Sequence, residues 1–239
     1  MLDHPALDLP PALSLLVPPP GTGAFAFACR EAVGAEAGTL VWSPGHDDLD
    51  VAVVLGPAEP LRSARRAFLV CMGALVQALA SVAPPDKPLA IDWPDTIRFD
   101  GATLGGGRLG WPRDTAEEAV PAFLVFGATL TIRKDEVEPG FTPASTSFDE
   151  EGFESGADRA VVEAFGRYLM RGFDAWREES FEAAAAGYLV RLSGRQGARP
   201  TTDRDGNLLV SDSAGGRMEL LPALRQTAWL DGRTGRPRS

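Results

Sequence analysis

The sequence predicts an α+β protein with a mixed or antiparallel sheet, packing helices and a small C-terminal β-module. Three observations lead to this class. Apolar segments do not alternate regularly between strand and helix, Asp100-Gly101 joins two adjacent strands by a tight turn, and there is neither a GxGxxG after a strand nor a Walker loop. We therefore expect residues 1–190 to form one domain and residues 191–239 to form the β-module.

In the first hundred residues, apolar runs are separated by prolines and glycines, which predicts short elements in an irregular order. The predicted strands cover residues 12–17, 39–42, 50–55, 89–93 and 96–99. The first of these is apolar enough to be buried. A helix is expected over 21–35 with Thr22 as its N-cap. The apolar face of that helix consists of Phe25, Cys29 and Val33. A second helix is expected between Pro60 and Pro84.

The rest of the chain changes character twice. After strands over 103–109 and 121–133, residues 134–158 are rich in Pro, Gly, Ser and acidic side chains, so we expect a surface loop. Helices over 159–176 and 180–188 follow, because apolar residues recur at helical spacing. The β-module is then predicted from short apolar runs and the turn signal RDGN at 204–207. Its strands are expected over 189–192, 198–202, 207–210 and 217–221.

Composition excludes several classes of protein. The 239 residues include 23 basic and 33 acidic side chains and carry a net charge of −10. This excess of acid argues against nucleic-acid binding and against docking on anionic lipid. We find no signal peptide or membrane span, so a cytoplasmic protein is expected. Two histidines and two separated cysteines argue against a structural metal site, and both cysteines are expected to be reduced core residues.

Three successive glycines, Gly105, Gly106 and Gly107, interrupt a predicted strand. Glycine weakens a strand, so it usually marks a ligand that approaches the backbone, or a bulge or crowded strand crossing. Both explanations stay open. Arg108 lies two residues after Gly106, on the same face of the strand. It is either a pocket guanidinium that holds a carboxylate or phosphate bidentately, or an exposed arginine at a strand end.

The region around these glycines resembles the biotin/lipoate protein ligase superfamily. Trp93-Pro94-Asp95-Thr96 falls on the W-P-N-D of biotin protein ligases, and Thr103 to Gly107 falls on K-L-A-G-I. Three further segments resemble family motifs in the right order. They are Pro20 to Gly23 (family D-S-T-N), Trp42-Ser43-Pro44 (W-x-S-P) and Val125–Ile132 (the glycine-containing strand that closes the pocket). The resemblance covers residues 10–190 and has no counterpart of the family's DNA-binding domain.

The resemblance implies a catalytic function and a set of ligand-binding residues. Such a ligase activates a small carboxylic acid, here biotin, lipoate or a similar acid, with ATP and Mg²⁺. It then transfers the acyl group to a lysine of a biotinyl or lipoyl carrier domain. The residues that the resemblance places at the ligand are Thr22, Trp42, Trp93, Asp95, Thr103, Gly105, Gly106, Gly107, Arg108 and Gly127.

Two departures from the family pattern leave the activity open. The family's arginine-containing G-R-G-R-x-G loop is replaced by residues 34–41, which contain no arginine, and the lysine position is Thr103. No catalytic residue is therefore assigned. Lys87 and Lys134, the two lysines of the chain, are expected at the surface. Three functions remain: an acyl-adenylate-forming ligase, a degenerate ligase-like protein that binds an acid or nucleotide without turnover, and an interaction module that uses its β-module.

Overall fold

The computed structural model of the protein describes residues 7–45, 47–134, 144–193, 200–210 and 216–238. A seven-stranded sheet lies at its centre. Its strands are β1 (Ser14–Leu16), β2 (Thr39–Ser43), β3 (Asp48–Leu55), β4 (Leu89–Asp92), β5 (Thr96–Phe99), β6 (Ala102–Gly110) and β7 (Leu124–Thr131). Their order across the sheet is β1-β2-β3-β7-β6-β5-β4. Only β1 and β2 pair in parallel, so the predicted mixed sheet is confirmed.

Helices cover both faces of the sheet. They are α1 (Ala24–Glu31), α2 (Leu61–Ala64), α3 (Ala67–Val82), α4 (Phe148–Glu151), α5 (Ala157–Glu178), α6 (Phe181–Leu189) and α7 (Leu220–Leu224). Helix α1 packs on β2, β3 and β7, and we call this side the α1 face. The opposite side, the α3 face, carries α3 with α5 and α6 and contains the larger hydrophobic core.

Helix α3 is the most apolar element, because almost all of its surface is buried in that core. The stretch Leu61–Val82 is long and apolar enough to cross a membrane, but 72% of its most hydrophobic window is buried inside the protein. The core of the domain therefore explains this composition. The two prolines that were expected to bound one helix enclose two, α2 and α3.

The first elements differ from their predictions in what they bury. Strand β1 was expected to be buried, but it lies at the sheet edge and Leu16 is 40% exposed. The N-cap of α1 is Gly23 and not Thr22. Val33 was placed on the apolar face of α1, yet it is 80% exposed and lies beyond the helix. Alanines form the buried side of α1, because small side chains allow the helix to lie close to the sheet.

The C-terminal part was predicted as strands and is only partly so. Strands β8 (Thr201–Thr202), β9 (Leu208–Val210) and β10 (Gly216–Met218) form a small antiparallel sheet. The predicted turn at 204–207 is confirmed, with Gly206 at a φ of 80°. Helix α6 ends at Leu189, where a strand over 189–192 was expected, and α7 begins within the strand expected over 217–221. The division at residue 190 stays a prediction, but apolar side chains of β9 and α7 join the main core.

The predicted loop over 134–158 contains helix α4. Ser147 caps this helix by accepting a hydrogen bond from the backbone N–H of Glu150. Phe148 is buried and stacks on Phe153, with ring centroids 4.3 Å apart. The polar composition concealed these two aromatic anchors, so the expectation of a simple surface loop was wrong. Residues 135–143 of the segment lie outside the described residues.

Candidate functional site

The central strands bring a small set of residues together on the α1 face. Gly106 of β6 pairs with Thr129 of β7, and Arg108 pairs with Gly127. Thr129 pairs in turn with Asp50 of β3. Residues that pair directly across a sheet point to the same side, so all five lie on one face. This confirms that Arg108 and Gly106 share a face.

The three glycines of β6 have three different structural causes. Gly105 follows a β-bulge at Leu104 and has a φ of 152°, and a Cβ there would lie 2.1 Å from the carbonyl oxygen of Thr129. A Cβ on Gly106 would lie 2.6 Å from the indole of Trp229. On Gly107 it would lie 2.4 Å from Met72 Sδ. At Gly106 a Cβ would also lie 2.3 Å from the carbonyl oxygen of Asp95. The crowded-strand explanation is therefore correct for all three glycines, and the protein's own tryptophan covers Gly106 as well.

Arg108 is a partly buried cation that forms no hydrogen bond with the residues that the structure describes. Its guanidinium lies over the ring of Phe25 on α1, with Cζ 4.4 Å from the ring centroid. Its buried Nε has no partner, and nothing among the described residues forms a hydrogen bond or ion pair with the group. Burial lowers the pKa of Arg108, and the nearby Asp50 and Cys29 oppose this effect. The alternative of an exposed strand-end arginine is therefore wrong.

Asp50 is the buried acid of this face. Its Oδ2 accepts a hydrogen bond of 2.7 Å from the N–H of Ala24, and its Oδ1 accepts one of 3.3 Å from Thr129. Asp50 thus satisfies the N-terminus of α1, where Gly23 offers no capping side chain. Burial raises the pKa of Asp50, while Ala24, Arg108 and Thr129 lower it.

Asp95 forms the other end of the candidate site. Its backbone carbonyl accepts a hydrogen bond from the N–H of Gly107, and its Oδ1 accepts one of 3.1 Å from Thr96. Burial raises the pKa of this carboxyl to about 7, although Thr96 and Trp229 lower it. Trp229 lies close enough to act on the pKa, yet neither Asp95 Oδ2 nor Trp229 Nε1 reaches hydrogen-bond geometry, and both atoms are buried.

Several predicted ligand residues lie elsewhere. Trp42 belongs to the core on the α3 face. Gly107 faces the same core, because a Cβ there would meet Met72. Trp93 packs edge-on against Tyr188, with ring centroids 6.1 Å apart. Strand alternation therefore separates Trp42 and Gly107 from the residues of the α1 face, which motif spacing alone could not indicate. Ligand contacts of Trp42, Trp93 and Gly107 stay predictions.

Gly127 and Thr22 lie at the edges of the α1 contact. A Cβ on Gly127 would lie 2.5 Å from Cδ2 of Phe25, so the glycine leaves room for this ring, and a ligand contact of Gly127 stays a prediction. The backbone carbonyl of Thr22 accepts a hydrogen bond of 3.3 Å from Ser43 Oγ. Thr22 thus joins the start of α1 to β2. A ligand contact of Thr22 stays a prediction.

Both lysines form ion pairs with acids of one short helix, and neither reaches the α1 face. Lys134 was expected at the surface, but its side chain is only 11% exposed and pairs with Glu150 at 2.8 Å. Lys87 pairs with Glu151 at 2.5 Å. Both acids belong to α4. Thr103, at the family's lysine position, joins the neighbouring segment, because its N–H donates to Ala144 and its carbonyl accepts from Thr146.

Both cysteines are buried or half-buried thiols of low reactivity. Burial raises the pKa of the Cys29 thiol to about 11, although Arg108 lowers it, and Cys71 is fully buried with a raised pKa. Neither forms a disulfide. Within the parts of the chain that the structure describes, no three His, Cys, Asp or Glu side chains are grouped to hold a metal ion. Both histidines, His4 and His46, lie outside those parts.

A separate cavity of about 420 Å³ lies away from Arg108, between the end of β3, the following loop and α5. Its walls are mainly apolar and include Val53, Leu55, Leu169, Phe173 and Trp176. None of the residues predicted to bind a ligand lines it. The charged groups described above and this cavity are therefore different features of the molecule.

Comparison with known proteins decides the family. The sequence model of the biotin/lipoate A/B protein ligase family matches residues 9–190. The chain belongs to this family. A search of curated protein sequences gave no match. Since the matched residues include β1 to β7 and α1 to α6, the biotin/lipoate ligase fold accounts for both faces of the sheet.

Solved structures agree with this ligase fold. A biotin protein ligase-like protein of unknown function from Silicibacter sp. TM1040 is 27% identical, with a TM-score of 0.78 over 91% of this chain and 99% of that one. The Aquifex aeolicus biotin protein ligase in complex with biotin and ATP is 13% identical, with a TM-score of 0.61 over 87% and 95%. The Leishmania major biotin protein ligase in complex with biotin is 17% identical, with a TM-score of 0.53 over 88% and 98%.

Sequence reasoning missed three residues of the candidate site: Phe25, Asp50 and Trp229. A signal existed for Asp50, because it is the last of three aspartates before an apolar, β-branched run. Phe25 was identified only as an apolar helix residue, although it is the ring under Arg108. Trp229 gave no signal, because it lies more than a hundred residues from Gly106 in the sequence.

Proposed function

We propose that the protein binds a small carboxylic acid, or the adenylate of such an acid, with the anion held by Arg108 on the α1 face. One observation carries this proposal: Arg108 is partly buried, its buried Nε has no hydrogen-bond partner, and its guanidinium forms no hydrogen bond or ion pair with the described residues. A buried charge without a partner is costly, so the position favours an anionic ligand.

Phe25 and Asp50 prepare Arg108 for this role. The ring of Phe25 supports the plane of the guanidinium by a cation–π contact. Asp50 acts on the charge from nearby without occupying its donors. A guanidinium held in this way presents a fixed fork that matches a carboxylate or a phosphate. Biotin, lipoate and related acids carry such a carboxylate.

ATP-dependent activation of the acid, followed by transfer to a carrier-domain lysine, is the second candidate. Membership of the ligase family favours it. Acyl-adenylate formation brings two anions together and develops charge at the carbonyl oxygen and the α-phosphate, which requires fixed cations. The described site supplies Arg108, while the lysine position is Thr103 and Lys134 pairs with Glu150. Binding without turnover therefore fits the charges better.

The acids near the site also bear on Mg²⁺, which accompanies ATP. Protein sites for Mg²⁺ often supply one or two carboxylates beside the substrate phosphates. Asp95 offers an unpartnered Oδ2, but its pKa of about 7 leaves the carboxyl partly protonated at neutral pH. Asp95 would hold the ion only in its ionised form, so any magnesium binding here should strengthen as the pH rises through about 7 and level off above it.

The test compares Arg108→Ala and Arg108→Lys with the unchanged protein by titration calorimetry, using biotin, lipoate, octanoate and biotinyl-5′-AMP. Loss of a charge-assisted contact should weaken binding about 10- to 150-fold in Arg108→Ala. Arg108→Lys should be intermediate, because it keeps the charge and loses the fork. The exposed Arg62→Ala on α2 is the matched control and should bind normally.

Two results would decide between the candidates. ATP–pyrophosphate exchange that requires one of these acids would establish activation, whereas binding with no exchange would establish a binding protein. Equal affinity of the unchanged protein and Arg108→Ala, for a ligand that demonstrably binds, would refute the role of Arg108.

A further inference from the structure

The chain after α7 ends in a short hairpin-like segment, residues 229–238, which we call the C-terminal arm. The N–H of Arg238 donates to the carbonyl of Trp229 at 2.8 Å, and the N–H of Asp231 donates to the carbonyl of Arg236 at 2.9 Å. Leu230 and Pro237 form a bridge between the two sides. The arm lies outside residues 9–190, the part that the family model matches.

Trp229 places the arm on the candidate site. Its side chain is 3% exposed, and its indole lies where the α1 face passes Gly106. Any side chain at Gly106 would overlap the indole, and so would any ligand that contacted the Gly106 backbone from this face. The arm and such a ligand therefore exclude each other.

The contact between Trp229 and Asp95 is complementary but imperfect. The indole N–H acts on the Asp95 carboxyl as a donor and lowers its pKa, yet Trp229 Nε1 and Asp95 Oδ2, both buried, do not reach the geometry of a good hydrogen bond. Buried polar atoms in folded proteins almost always have well-formed partners, so this contact holds the arm less firmly than a complete hydrogen bond would. A ligand that donated a well-aligned hydrogen bond to Asp95 could replace the indole.

The arm is held at its other end by charge. Arg236 Nε lies 2.6 Å from Asp48 Oδ2, and Arg236 Nη1 lies 3.7 Å from Asp47 Oδ2. Both acids lie at the start of β3, two or three positions before Asp50. Arg236 is about one-third exposed, so this attachment is accessible to solvent and sensitive to salt. Trp229 and Arg236 thus attach the arm to the sheet at two places, Gly106 and the start of β3.

We infer that the C-terminal arm is an intramolecular plug: Trp229 occupies the ligand position above Gly106, and a ligand binds only after the arm has left. This inference rests on the proposed function, because it concerns access to the same site. Since the competent state is then only a fraction of the molecules, the measured affinity is reduced by that fraction.

The first test is hydrogen exchange, which needs no ligand. The arm should open without unfolding of the domain, so the amides of Asp231 and Arg238 should exchange at least about a hundredfold faster than those in the middle of α3. Exchange of the arm amides only together with the α3 amides, at the same rate and with the same denaturant dependence, would overturn the proposal.

The second test measures binding of octanoate, lipoate, biotin and biotinyl-5′-AMP to Trp229→Ala, Arg236→Ala and Arg233→Ala. Trp229→Ala should bind whichever of these probes binds the protein at least about tenfold more tightly than the unchanged protein does. The reason is that the fraction of molecules with an open site rises towards one. Arg236→Ala should lie between them. Arg233→Ala, an exposed position of the same arm, is the matched control and should not change affinity.

The direction of the change separates a plug from other roles. A bound probe should accelerate exchange in the arm; slower exchange, or equal or weaker binding by Trp229→Ala, would show that the arm closes over the ligand or forms a wall, and would overturn the proposal. A failure of Arg108→Ala to weaken binding affects the proposed function only. If no probe binds any variant, the proposed function fails, and exchange without ligand alone decides whether the arm detaches.

Discussion

Replacing Asp95 by Asn should change how stability depends on pH. Asp95 is 2% exposed, and its folded pKa is about 7, against an ordinary value near 3.8. Because the folded pKa is the higher one, the native state keeps a proton that the unfolded chain releases between about pH 4 and pH 7. The free energy of unfolding should therefore fall as the pH rises through this window. Above pH 7 Asp95 should cause no further change in this free energy.

The size of the effect follows from the shift in pKa. About three units at about 1.4 kcal/mol each give a penalty of at most about 4 kcal/mol once Asp95 is ionised. Asn has nearly the same shape and cannot ionise. Asp95→Asn should therefore be more stable than the unchanged protein by up to about 4 kcal/mol at pH 8, and within about 1 kcal/mol of it at pH 4.

Urea unfolding at pH 4, 6 and 8 measures this difference. The control is Asp114→Asn, an exposed aspartate, which should leave the pH dependence unchanged. Parallel pH curves for the unchanged protein and Asp95→Asn would show that the Asp95 carboxyl is ionised at no great cost. The explanation by burial would then be refuted.

Three further changes test packing, capping and thiol chemistry. Gly127→Ala should destabilise the protein by about 1–3 kcal/mol in urea unfolding, because its Cβ would overlap Phe25, while Gly232→Ala, with open space around it, should be neutral within about 0.5 kcal/mol. Ser180→Ala should cost about 1 kcal/mol in the same assay, since Ser180 accepts the N–H of Ala183 at the start of α6; no loss would deny that cap a role. Cys29, with a pKa of about 11, should react with a thiol reagent at pH 8 much more slowly than the same cysteine in urea, and equal rates would contradict its burial.

Much of the fold was predictable because its signals are local. Asp100 and Gly101 adopt φ values of 49° and 84°, as a tight turn between β5 and β6 requires. The β-branched runs of β3 and β7 gave strands close to their observed bounds. Failures occurred where tertiary position outweighed composition. β1 is apolar but lies at an edge, and the polar segment before α5 contains Phe148, which is buried by distant partners.

The candidate site was predictable only in part. Alternation along β6 correctly placed Arg108 on the face of Gly106, because a period of two is a local property of any strand. The same rule could not tell whether Trp42 lies on the same face as Arg108. That depends on the register of strand pairing from β2 through β3 and β7 to β6. Strand pairing places Trp42 on the opposite face.

The amino-acid sequence by itself determined the fold class, the ligase-family resemblance, the acidic charge and the position of Arg108 on its strand. These depend on composition, periodicity and motif order, which need no knowledge of distant contacts. Only the tertiary structure decided what surrounds Arg108: Phe25 beneath it, Asp50 nearby, and Trp229 over Gly106. These neighbours come from separate parts of the chain, and burial against them sets the pKa values, the missing hydrogen bonds and the access of a ligand.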